Sequence, residues 1–400
     1  MTTLTFYDRA DLLGILAFAM IGVLASASGV LAPGAGEAAL DLAFVVFGYM
    51  TVRALVAPGA PEPGREHHDD GSDDPAALRQ PSPEIFRAGL LSSLARWSYP
   101  ALVLTCLVSL VTSPVLVSPP EVEALAVTAV AAVAASQNLL DVASGGMASA
   151  TALGHGWAIS LAAQWSVLAV VLVAGLRRGD GNGLLLAVLG GLALASTAAS
   201  FVLPAGAHVT LLRLFPFALG GLMVGLDRLQ WQHTLMAHLS REALVITGIA
   251  MIGAAVVFDS TGASPWLRGI DGIGAAFGTA AILFARGAPT LGHVLTNPPT
   301  RWLGASAFTI YVVHGPLFAF LPPALFEGSG GAGILVRALA SIVLGLGVSQ
   351  LGAAVFGARA GSTGRSDQVW AWVFAGAFAV AALASAFLCA DGSVSLPGNE

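Results

Sequence analysis

His314 is the residue best placed in this sequence to move a proton. It lies in the apolar run Ala307-Phe308-Thr309-Ile310-Tyr311-Val312-Val313-His314-Gly315-Pro316, with Tyr311 three residues earlier on the same helical face. A neutral imidazole there can act as general base toward a hydroxyl. Pro316 frees a backbone carbonyl one turn before it, an irregularity that lipid tolerates only where another group re-satisfies it. The same pattern also fits a structural histidine bonded to a neighbouring helix. His155 is the second candidate base. It opens a further apolar run in which Trp157, Ser160 and Gln164 recur at helical spacing, a face that could line a polar cavity or bond another helix. Arg213, in Leu211-Leu212-Arg213-Leu214-Phe215-Pro216, could grip a phosphate or carboxylate with two donors, or snorkel to the interface. Tyr311, Trp157, Ser160, Gln164 and Arg213 are therefore the candidates for substrate binding.

The other polar residues within apolar runs are Asp41, Gln137, Asn138 and Gln350. Asp41 fits a helix N-terminal charge equally well. Such residues are expensive in lipid, about 2.5–3.5 kcal/mol for an Arg or Asp at the bilayer centre, and tend to face a bundle interior or a watery cavity. No Glu falls inside any expected span, which argues against a paired-glutamate acid–base site.

The elements that must position these residues are membrane helices. A spanning helix needs roughly 20 mostly apolar residues. Leu12–Pro33, Ala39–Pro58, Leu94–Ser113, Trp157–Gly175, Gly183–Pro204 and Val209–Leu226 come near that length. So do Ala243–Phe258, Ile270–Ala285, Leu303–Leu325, Ile334–Phe356 and Trp370–Leu388, while Ala124–Ala135 is shorter. With 56% hydrophobic and 10% charged residues, no water-dissolved core could bury so much apolar surface. The expected fold is an all-α polytopic transmembrane bundle of about 11 spans (10–12), without a soluble domain.

Every one of the 17 basic residues is Arg, which excludes lysine Schiff-base and P-loop chemistry. The net charge of −6 resides mostly in one loop and gives no reason to expect nucleic acid as a partner. Cys106 and Cys389 lie in apolar runs and read as small hydrophobes, so neither a disulfide nor a metal site is expected. Arginines cluster in alternate loops: Arg53 to Arg87, Arg177-Arg178, Arg228 with Arg241, Arg286 with Arg301, and Arg359 with Arg365. Arg268 and Arg337 are the exceptions. The positive-inside rule then puts the N-terminus in the cytoplasm of a multi-pass inner (plasma) membrane protein, with the C-terminus outside. An even number of crossings between the Arg79 and Arg177 loops requires Ala124–Ala135, preceded by Pro119-Pro120, to be half-crossing or re-entrant.

The expected divisions are residues 1–58, the first two spans; 59–92, a polar cytoplasmic loop; 93–325, the rest of the membrane domain; and 326–400, additional spans with a short tail. The loop contains His67-His68-Asp69-Asp70, whose Pro-, Gly- and Asp-rich surroundings suit a solvated linker better than a cation site.

Five segments, in order, resemble the bacterial integral-membrane acyltransferase family 3. Asp41-Leu42-Ala43-Phe44-Val45-Val46-Phe47-Gly48-Tyr49 is similar to its Val-Asp-Val-Phe-Phe-Val-Leu-Ser-Gly-Phe stretch. Arg96-Trp97-Ser98-Tyr99-Pro100-Ala101 resembles its Arg-Arg-Ile-x-Pro-Ala. His155-Gly156-Trp157 through Gln164-Trp165 resembles its His-x-Trp-Ser-Leu-x-x-Glu-Glu-Gln-Phe, and Arg213 with Gly220 keeps the spacing of its Arg-x-x-Glu-x-x-x-Gly. Arg301-Trp302-Leu303-Gly304-Ala305-Ser306 through Tyr311, His314 and Pro316 is similar to its Leu-Gly-x-x-Ser-Tyr-x-x-Tyr-x-x-His-x-Pro, the most specific match. The resemblance covers roughly residues 8–325.

It implies transfer of an acyl group, often acetyl, from acyl-CoA to a hydroxyl of an envelope glycan, a lipid or a small molecule, with no bound cofactor. The family's first span carries an Arg followed eleven positions later by a His, the pair assigned to catalysis. Aligned on Asp11, those positions are Gly14 and Ala25. Ala162, Ala163 and Pro216 stand where the family has glutamates. Three readings follow: an acyltransferase using His314 or His155, a catalytically silent relative that binds a lipid, glycan or membrane protein partner, and a transporter or flippase.

Overall fold

The computed structural model describes residues 9–56, 99–146, 148–176, 182–202, 210–228, 240–260, 270–285, 292–320 and 331–352. The linker at 59–84, Arg96 to Ser98, Cys389 and the span expected at 370–388 lie outside these. The described residues are helical, with no strand among them.

The helices run α1 (Ala10–Ala27), α2 (Pro33–Val56), α3 (Tyr99–Leu116), α4 (Pro119–Val133) and α5 (Gln137–Ala143). They continue as α6 (Trp157–Leu176), α7 (Asn182–Val202), α8 (Leu214–Arg228), α9 (Arg241–Ser260) and α10 (Ile270–Ala285). The last described are α11 (Gly292–Thr296), α12 (Pro298–Ala305), α13 (Ala307–Phe320) and α14 (Gly331–Gly352). Single 3₁₀ turns at Gly154–Gly156 and Thr210–Arg213 lead into α6 and α8.

Five segments are long and apolar enough to cross a membrane: α1, Gly34–Val56, α3, Gly154–Leu176 and Gly183–Phe201. A sixth counts if α12 and α13, bent by 63° at Ser306, form one broken span. The expected span Leu303–Leu325 overlaps this bent pair, its residues 321–325 lying outside the described ones. The outward faces of the spans confirm the solvent: Val111 and Val115 on α3 are 77% and 86% exposed, and Leu194 on α7 is 73% exposed. Water would penalise that surface, whereas lipid does not. The chain is a helical membrane protein.

α2 lies at the centre and touches α1, α6, α8, α9 and α10. The α2–α8 crossing is backbone on backbone. A Cβ on Gly48 would fall 2.1 Å from the Phe217 carbonyl oxygen, and one on Gly220 would fall 2.0 Å from that of Val45. Lipid gives no hydrophobic drive between helices, so such small-residue contacts, which bring backbones together, carry the packing. Phe217 stacks on Phe44 at 4.5 Å and on Trp165 at 5.6 Å, filling the space where α2, α6 and α8 meet.

α4 begins at a capping box. The Ser118 backbone N–H donates to Glu121 at 2.8 Å behind Pro119 and Pro120, which holds the exposed Glu121 carboxyl below its usual range. Its 15 residues extend about 22 Å, short of a bilayer core. It stops at Ala135, whose φ of 51° is left-handed and strained for a residue with a Cβ. Ala135→Gly is expected to raise stability by about 1 kcal/mol, read by thermal unfolding in detergent.

Candidate functional site

The expected site residues fall into three clusters rather than one cavity. The first joins α13 to the 154–156 turn. A proline at 316 has no N–H to offer the Val312 carbonyl four residues earlier. His155 takes that place: its Nε2–H donates to the Val312 oxygen at 3.1 Å. Gly315 makes the approach feasible, because a Cβ there would sit 2.0 Å from His155 Nδ1. Tyr311 closes the clamp by donating its hydroxyl to the His155 carbonyl at 2.5 Å.

His314 donates its Nδ1–H to the Tyr311 carbonyl at 2.6 Å. That bond fixes the tautomer and leaves the Nε2 lone pair to accept a proton. The two imidazole rings lie 4.7 Å apart, centre to centre, and the Tyr311 ring is 5.2 Å from each. His314 and Tyr311 are both buried. The Gly-Pro pair is thus the local sequence cause of the paired histidines.

The second cluster ties α5 to α6. The Gln137 backbone N–H donates to Ser160 Oγ at 3.1 Å, while its side-chain amide donates to the Leu153 and Gly154 carbonyls at 2.7 and 2.9 Å. Gln164 donates to the Ala135 carbonyl and to Asn138 Oδ1, both at 2.9 Å, and accepts from Thr210 at 2.7 Å. Ser160 and Gln164 therefore hold an irregular segment against α6, and Trp157 packs on Phe44 at 6.1 Å.

The third cluster is ionic. Arg213 donates to Asp41 Oδ1 and Oδ2 at 2.8 and 2.7 Å, and pairs with Glu37. Sequence reasoning placed every Glu outside the spans, which the structure corrects. α2 starts at Pro33, a residue suited to a first helical turn, so Glu37 and Asp41 stand one turn apart on its inner face. Both carboxylates engage the guanidinium expected to hold a substrate anion, making Arg213 a tie from α8 to α2. Asp41 is 0% exposed. Of Gln350 only its place in α14 is described.

No protein-family model, curated protein or solved structure matches the chain.

The arrangement around α1 bears on the missing first-span pair. A Cβ on Gly14 would lie 2.2 Å from the Leu295 carbonyl oxygen, and one on Gly304 would lie 1.8 Å from that of Leu13. The space an arginine at position 14 would need is occupied by backbone from α11. Gly14→Ala is expected to destabilise the protein by about 1–3 kcal/mol, measured by thermal unfolding in detergent. A guanidinium does enter at the start of α1, but from Arg9. It is bound by Asp11 at 2.7 Å, by the Tyr49 hydroxyl at 3.1 Å and by the Leu283 carbonyl at 3.1 Å. Eleven residues beyond Arg9 stands Met20, buried and without a titratable group. Arg9 and Glu37 escaped sequence reasoning because both precede the apolar runs. Arg337, an exception to the arginine loop pattern although inside the expected span Ile334–Phe356, is buried within α14.

Proposed function

We propose that this chain is an integral-membrane protein of the acyltransferase family 3 type, transferring an acyl group from acyl-CoA to a hydroxyl of an envelope glycan, lipid or small molecule. The observation that carries this reading is His314, buried beside His155 with Nδ1–H committed to the Tyr311 carbonyl and Nε2 left to accept a proton. In the reaction the acceptor hydroxyl gives its proton to His314 Nε2 as its oxygen attacks the thioester carbonyl. The new C–O bond forms, the C–S bond breaks, and the imidazolium returns the proton to the leaving thiolate. His155, bonded to Val312, positions the turn and the neighbouring ring.

The protein sits in the plasma membrane with about eleven spans, its N-terminus cytoplasmic and its C-terminus external. The arginines clustered in alternate loops support this orientation. The purified protein incubated with acetyl-CoA labelled in the acetyl group, together with envelope extract, tests the reading. CoA release with label in an envelope product supports it; neither, over hours, counts against it.

A second reading has a specific observation in its favour. Leu295 closes the space at Gly14, and Met20 and Ala25 offer no base, as in a catalytically silent relative that binds a lipid, glycan or membrane protein. There the histidine clamp is architecture, and the label stays on CoA.

A further inference from the structure

Arg337 is the single charged residue of α14. It lies six residues, about 9 Å, beyond Gly331 along the helix axis. Its residue surface is 8% exposed and its Nε has no hydrogen-bond partner. Among the described residues the guanidinium has neither a hydrogen bond nor an ion pair. What it has is a ring: Cζ lies 4.4 Å from the centroid of Phe318, whose edge meets His314 at 6.1 Å. Eight residues further along α14, a Cβ on Gly345 would come 2.6 Å from the Ile310 Cα, so α14 is pressed against α13 there.

Stacking on an aromatic face uses the flat side of a guanidinium and leaves its in-plane N–H groups free. Those groups form a fork that matches two oxygens of one phosphate. A cation without a counter-charge among the described residues, on an apolar helix, is costly, and residues of this kind in membranes mark ligand sites. Near one end of an apolar helix, the anion a membrane supplies is lipid phosphate.

We propose that Arg337, held by Phe318, binds the phosphate of a membrane lipid beside the His314 cluster. This goes beyond acyl transfer and holds whether or not the histidines are catalytic. The test is native mass spectrometry of the full chain in a phosphate-free maltoside detergent. Dioctanoyl phosphatidic acid, dioctanoylglycerol and inorganic phosphate are titrated separately, then phosphate against the bound lipid. The expected result is binding of phosphatidic acid but not of dioctanoylglycerol. Arg337→Gln weakens it about ten- to a hundredfold, Arg337→Lys retains part of it, and Arg241→Gln, at an exposed position on α9, leaves it unchanged. Equal binding of dioctanoylglycerol, or undiminished binding in Arg337→Gln, overturns the proposal. Displacement by inorganic phosphate at the lipid's own concentration overturns the lipid assignment. Should Arg337→Gln fail to fold, the wild-type comparison of the two lipids decides the matter.

Discussion

Arg213→Ala is expected to cost about 3–5 kcal/mol of stability, because it leaves the Asp41 carboxylate buried without its guanidinium. Asp41→Ala has a cost of the same order for the converse reason. Glu37→Ala costs under about 1 kcal/mol, since the Glu37 side chain is 42% exposed and its charge is solvated. The combined replacement Arg213→Met with Asp41→Leu recovers most of the loss, because an apolar pair removes both desolvation penalties together. Thermal or dodecyl-sulfate unfolding of the wild type, Arg213→Met, Asp41→Leu and their combination forms a double-mutant cycle. Single losses below about 1 kcal/mol that simply add would show that the ion pair is no tie between α2 and α8.

Helical membrane character was legible in the sequence because lipid imposes it. Long apolar runs, few charges and no alternative to intrahelical backbone bonding leave little choice. Breaks were less legible. The helices Pro298–Ala305 and Ala307–Phe320 meet at Ser306 with a bend of 63°, where no proline in the sequence announces a break. Polar cost sets the limits of an apolar run, yet α2 extends back past Glu37, half-exposed and paired with Arg213, 176 residues away. A charge at a span's edge cannot be placed without its partner, and the partner is set by the tertiary fold. Pro316 is the opposite case. A proline in an apolar helix announces a free carbonyl, and only the donor remained to be found in His155. Arg337 had no such signal, since a lone arginine at the head of an apolar run reads equally well as loop or helix.

The three clusters also divide the chemistry. In the Arg213 and Gln164 clusters the side chains bond mainly to one another or to backbone, and their bonds join helices that sequence alone does not pair. His314 differs, because its bonded nitrogen faces its own helix and the other is left over. That asymmetry separates a residue able to accept a proton from one spent on architecture.

His314→Ala is therefore expected to lower acyl transfer by about 10²–10⁴-fold, the usual contribution of a positioned general base. His314→Gln tests the assignment more closely. An amide can donate to the Tyr311 carbonyl as Nδ1 does, yet it takes no proton from a hydroxyl at neutral pH. The gap between activity and structure decides between the two readings. Label transfer from acetyl-CoA should fall in both variants while unfolding stability in detergent stays near that of the wild type for His314→Gln. His155→Gln, by contrast, should act through structure, loosening the bond to the Val312 carbonyl and lowering stability alongside any activity. If His314→Gln transfers label as fast as the parent protein, His314 is not the base. If the wild type transfers none while His155→Gln still destabilises, the histidine pair is scaffold.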